Sequence, residues 1–120
     1  MVTKVNLREK LARFSDHWNP KILADLNDSH VKVAKIQGEF VWHNHAEEDE
    51  LFLILHGRLT MELRDATLTL EPGEFVVIPK GVDHRPVAEE EVHLLLIEPK
   101  GIRHTGEVID PRTVTEWERL

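Results

Sequence analysis

The chain has 120 residues, a hydrophobic content of 41% and a formal net charge of −7. That length suits one domain with a single core, and the acidic balance argues against a partner whose phosphates need clustered Lys and Arg. With no cysteine, disulfides and thiolate metal sites are excluded. No apolar stretch reaches the ~18 residues of a membrane span, and the charged start MVTKVNLREKLARF is no signal peptide. A cytoplasmic protein with no membrane role is the resulting expectation.

In chain order, the first element reads as a helix over about residues 6–16. Asn6 can cap it, Glu9 follows three residues later, and Leu7, Leu11 and Phe14 share a face. Asn19-Pro20 ends it. From residue 21 the helical period is lost. Short β-type segments follow at Ile22–Leu26, Val31–Ile36, Glu39–His45, Glu50–Leu55, Leu59–Leu63, Thr67–Leu70, Phe75–Ile78 and Val92–Ile97. Turn residues separate them, among them Asn27-Asp28, Gly57, Pro72-Gly73 and Pro79-Lys80-Gly81. Seven or eight even strands with no helix between them predict an all-β antiparallel sandwich or barrel over about 21–100. A tail of about 101–120 completes the single domain.

The chemistry concentrates in HNHAEEDELFLILHG, residues 43–57. His43 and His45 are two apart, so on a strand both imidazoles share a face. A four-residue loop at Ala46–Asp49 would set Glu50 opposite His45 across a hairpin, with Cβ atoms roughly 5 Å apart. Two imidazoles and a carboxylate then converge, a set that suits a divalent cation. Taken alone, His43 and His45 could be ordinary surface histidines, and Glu50 could be the last member of a solvated acidic run. The apolar strand that follows Glu50 argues for burial, where a bare carboxylate is costly. A second stretch, Gly73 to His84, places His84 just after a Pro-x-Gly turn; its pattern alone leaves it between surface and site.

Together the two stretches resemble the cupin superfamily. The first motif, G-x5-HxH-x3,4-E-x6-G, is matched by Gly38, His43, His45, Glu50 and Gly57. The second, G-x5-PxG-x2-H-x3-N, is matched by Gly73, Pro79, Gly81 and His84. Gly38 stands one residue closer to His43 than the pattern asks, and Ala88 replaces the Asn. The resemblance implies a jelly-roll (double-stranded β-helix) barrel with His43, His45, Glu50 and His84 as ligands of one divalent transition metal. Three imidazoles and a carboxylate favour Fe, Mn, Zn, Ni or Cu over Ca or Mg.

Strand parity then nominates Val41, Phe52 and Ile54 as an apolar lining, with Phe40 and Trp42 facing away. His93 and His104 are further candidates for the pocket wall. The expected partner is a small-molecule ligand or substrate. The apolar outer positions Leu51, Leu53 and Leu55 add the expectation of a homodimer, which the resemblance also implies. The expected function is an enzyme of dioxygenase or isomerase type acting on a small oxygenated or carbonyl compound. The alternative is a non-catalytic binder of metal or ligand. A sugar-phosphate isomerase of the mannose-6-phosphate type has only Lys80, Arg85, Lys100 and Arg103 as scattered phosphate contacts. Arg85, pointing off the metal face, is expected in a salt bridge.

Overall fold

The computed structural model describes residues 2–101, 104–106, 108–114 and 116–120. A short helix, α1 (Leu7–Leu11), precedes seven strands: β1 (Lys21–Leu26), β2 (Ser29–Glu39), β3 (Glu50–His56), β4 (Leu59–Leu63), β5 (Thr67–Leu70), β6 (Phe75–Ile78) and β7 (His84–Pro99). Asn6 caps α1 as its sequence predicts, its side-chain oxygen accepting from the Glu9 amide at 3.0 Å. The helix nevertheless stops well short of residue 16. Strand β2 captures the backbone beyond it: the Lys35 ammonium donates to the Phe14 carbonyl, and the Trp18 amide donates to the Lys35 carbonyl.

All strand pairings are antiparallel, running β1-β2-β7-β3-β6, with β4 joining β7 to β5. Strand β7 spans 16 residues and organises the barrel. Its second half lies between β2 and β3, while its first residues pair with β4. The period of two assigns the faces. Ala34 and Ile36 of β2, Phe52 and Ile54 of β3, and Val92, Leu94 and Leu96 of β7 are buried in one core. Burial of such side chains contributes roughly 1.5–3 kcal/mol each, so the barrel interior carries most of the fold's stability. Gly57 lies at φ 84°, and a Cβ there would sit 2.6 Å from the Glu91 carbonyl oxygen. Only glycine lets the β3–β4 turn approach β7 so closely.

Two sequence expectations fail locally. Residues 40–49 do not continue a strand from Glu39 to His45; their sole ladder contact is a bridge between His43 and His84. The expected hairpin between His45 and Glu50 is also absent, since Glu50 pairs with Ile78 of β6. The tail forms no long element. It ends beside β1, where the Ile22 amide donates to the Glu118 carbonyl and the Leu120 amide donates to the Ile22 carbonyl.

Candidate metal centre

His43, His45, Glu50 and His84 are all buried, and one ligand atom from each lies within 4.8 Å of the others. They arrive there from three different pieces of backbone. His43 and His84 exchange backbone hydrogen bonds of 2.9 and 3.1 Å, which sets their rings side by side with centroids 4.2 Å apart. His45 is fixed by the Pro79-Lys80-Gly81 turn, whose Gly81 amide donates to the His45 carbonyl at 2.8 Å. Glu50 opens β3 on its inward face. The Asp49 carboxylate accepts from the Lys80 amide at 2.8 Å and ties the acidic loop to that same turn.

The imidazoles are held in the orientation a cation needs. Nδ1 of His43 donates to the Val41 carbonyl at 2.9 Å, and Nδ1 of His84 donates to the Val82 carbonyl at 3.0 Å. A carbonyl only accepts, so each Nδ1 carries the proton and each Nε2 is left with a lone pair. The Nε2 atoms of His45 and His84 and Oε1 of Glu50 are buried without a hydrogen-bond partner. Oε1 stands 3.4 Å from His45 Nε2 and 3.6 Å from His84 Nε2. Donors bound to one ion at about 2.1 Å would be roughly 3 Å apart when adjacent and about 4 Å apart when opposite. The cluster fits a single transition-metal ion, and its unpartnered atoms would be costly without one.

Electrostatics agree. Burial, reinforced by the neighbouring His84, pushes His43 down to about 4, so it stays neutral and able to ligate. Glu50 is fully enclosed, and burial alone would raise it. Its contacts with Glu98, His45 and His84 prevail and hold it well below the usual carboxylate range. Glu98 moves the opposite way, well above that range, through burial first and the charge of Glu50 second. Lys32 partly offsets this, its ammonium 2.8 Å from Glu98 and 3.7 Å from the centre of the Trp117 ring. Sequence reasoning passed over Lys32 and Glu98. The signal was available, because Lys32-x-Ala34-x-Ile36 and Leu94-x-Leu96-x-Glu98 put both charges on the inward parity.

Beside the cluster lies a cavity of about 40 Å³, walled by His43, Glu50, Phe52 and His104 together with Trp18, Phe40 and several aliphatic side chains. Phe52 and His104 thus line this cavity. Ile54 is fully buried in the core, away from that wall. Val41 and Phe40 exchange their expected roles: Phe40 lines the cavity, and Val41 serves through its carbonyl. The reason is that the strand ends at Glu39, so its alternation does not carry through residues 40–45. His93 is a correction as well. It has the outward parity of β7 and shares a surface groove with Leu7, Leu11, Lys35 and His56. Arg85 forms the expected salt bridges, to Glu62 at 2.6 Å and Glu39 at 3.5 Å. Arg103 lies outside the described residues, and Lys80 and Lys100 do not reach the cavity wall.

The fold and the cluster define a small β-barrel protein whose interior holds a buried His-His-Glu-His group compatible with metal binding. The family model for the Cupin domain matches residues 29–98, and the chain belongs to that family. It is 46% identical to a cupin-2 domain containing protein from Shewanella frigidimarina, covering 80% of this chain and 94% of that one with a TM-score of 0.79. It is 38% identical over 80 residues to the uncharacterized protein YdbB of Bacillus subtilis, matching 66% of this chain and 65% of that protein. The match thus spans slightly less than two thirds of the curated relative. The fold also matches hydroquinone 1,2-dioxygenase from a Sphingomonas species, solved with 4-hydroxybenzoate bound. That likeness has 24% identity and a TM-score of 0.72, and it covers 82% of this chain but 32% of that one.

Proposed function

We propose that this chain is a metal-dependent enzyme acting on a small oxygenated or carbonyl compound, with His43, His45, Glu50 and His84 as the ligands of one divalent transition metal. The observation that carries the reading is the convergence of four buried ligand atoms, with the Nε2 atoms of His45 and His84 and Oε1 of Glu50 lacking any protein partner. A bound ion would supply Lewis acidity and, with four protein ligands, open positions for a small molecule. The chain's own part is to hold two imidazoles in the ligating tautomer through Val41 and Val82, to exclude water with Phe40 and Phe52, and to keep Glu50 ionised. No helix among the described residues is long and apolar enough to cross a membrane, and a cytoplasmic setting belongs to the same proposal.

Between the two reaction types, the similarity to a hydroquinone 1,2-dioxygenase supports dioxygenation, while among the described residues no basic cluster lines the cavity to receive a phosphorylated sugar. Oxygen uptake by metal-loaded protein over small phenols and diketones tests this. Uptake that requires Glu50 is the expected result; turnover without oxygen consumption shifts the reading to isomerisation. A non-catalytic binder is the second reading. It is favoured by the cavity's size, well below the about 150 Å³ that accepts benzene in an engineered core. A protein that takes up metal and turns over no compound of the panel would establish it.

The proposal includes a homodimer through the outer sheet face. Cross-strand neighbours Val77, Leu51 and Ile97 form one apolar row, and Phe75, Leu53 and Leu95 form the next. Phe75 and Val77 are 63% and 46% exposed, an apolar surface of the kind that partners cover. Light scattering at twice the chain mass supports the dimer, and a monomer at micromolar concentration refutes it.

A further inference from the structure

His104 lies beyond residue 98, where the family match ends, and the tail brings it back to the cavity wall. Its ring stands 5.2 Å from Phe40, which in turn meets the ligand-set residue His43 at 5.4 Å. Trp117 closes over its edge, with centroids 5.2 Å apart. The placement is held by backbone as well: Gly106 comes so close to the Asn44 carbonyl that a Cβ there would sit 2.2 Å from its oxygen. Asn44 stands between His43 and His45, so the tail is anchored on the metal-site loop itself.

The hydrogen bonding of His104 is incomplete. Nε2 lies 3.1 Å from the Trp18 carbonyl oxygen and must donate to it. In the neutral ring Nδ1 is then a lone-pair acceptor, and this atom is buried with no partner. The residue is only 7% exposed. Burial, with a smaller contribution from Lys32, outweighs the Trp18 carbonyl, the charge of Glu50 and the Arg112 backbone, and lowers His104 to about 4, so the neutral ring prevails at neutral pH. An unsatisfied buried acceptor is costly. The cavity that His104 lines exceeds the ~10–15 Å³ needed for a water, so it has room for a small donor that the protein does not supply.

We infer that Nδ1 of His104 is the ligand-recognition atom of this site, and that the site takes a small compound bearing a hydroxyl or N–H donor on a short apolar body. The inference rests on the metal-centred reading above and adds a second fixed point to it. A ligand meeting the metal with one oxygen would donate its hydroxyl proton to His104, with Phe40 and Phe52 against its carbon atoms. The cavity's volume sets the size at a few heavy atoms; larger members of the class require His104 and Trp117 to shift.

Hydroxyacetone and butanone are the probes, since they differ only in a hydroxyl replaced by a methyl. Their dissociation constants are measured by NMR titration of the full chain, zinc-loaded and chelator-stripped, with metal content read on the same samples. The parent should favour hydroxyacetone. In His104→Phe the affinity ratio should fall about tenfold, with metal content unchanged, and His104→Gln, which retains an acceptor, should preserve the preference. In long-range ¹H–¹⁵N spectra of the parent, hydroxyacetone should move the His104 Nδ1 resonance and butanone should not. A parent that prefers butanone or binds neither probe, an unchanged ratio in His104→Phe, or a static Nδ1 resonance overturns the inference. Failure to take up zinc would sink the metal reading alone, because the preference is still read in stripped protein.

Discussion

Two clusters in this molecule use the same residue types to opposite ends. In the lumen, His43, His45 and His84 surround Glu50, and ligating atoms of three of the four residues lack a protein partner. At the surface, Glu91 bridges His17 at 2.6 Å and His93 at 2.8 Å, with the His56 ring tilted against His93. There each carboxylate oxygen is answered by an imidazole, and those contacts hold Glu91 down at about 2. Histidine and glutamate together therefore do not define a site. Convergence of several buried ligand atoms without protein partners does, because their joint desolvation cost is met when one ion completes the coordination.

The contrast can be sharpened at its deepest point. Lys32 and Glu98 form a fully buried ion pair next to the lumen cluster, with side chains 0% exposed. Lys32→Met should destabilise the protein by roughly 1–3 kcal/mol, because it leaves the buried Glu98 carboxyl without its hydrogen-bond donor beside Glu50. Urea unfolding checks this. A loss below about 1 kcal/mol would mean that Glu98 simply takes up a proton and the pair is dispensable.

Acid should act on the lumen next. His43 and His104 are both depressed to about 4 from an ordinary 6.5. The unfolded chain binds more protons between those values, so their stabilisation is complete above about pH 6.5 and lost as pH falls toward 4, by at most roughly 3 kcal/mol each. Glu98, raised by its surroundings, contributes with the opposite sign. Chelator-treated protein should therefore lose melting temperature over that window, and more steeply in Glu98→Gln. A flat profile would contradict the burial of these rings.

The surface cluster should yield the smallest effect. Glu91→Gln is expected to cost under about 1 kcal/mol, as exposed ion pairs do, and to leave metal content untouched. Loss of metal in that variant would erase the distinction between the clusters.

Much of the site was legible in the sequence, though partly for a different physical reason. The spacing of His43, His45, Glu50 and His84 nominated the residues that meet. Alternation correctly turned Glu50, Phe52 and Ile54 inward, because β3 is a regular strand. Alternation was extended too far at Val41 and Phe40, where the chain has left the sheet and a single bridge to His84 sets the geometry. It was not extended far enough in β7. The strand expected over Val92–Ile97 runs from His84 to Pro99, and its full length fixes Glu98 inward and His93 outward. Helix α1 fell short because Lys35 and β2 claim the backbone that a longer helix would have used, a tertiary competition that local pattern does not contain.

The most direct test of the account is elemental analysis of the freshly purified full chain beside His84→Ala and Glu91→Gln. The account predicts about one divalent transition-metal ion per chain in the parent and in Glu91→Gln, and near none in His84→Ala. Equal metal in all three proteins, or none in the parent even after loading and dialysis, would contradict it.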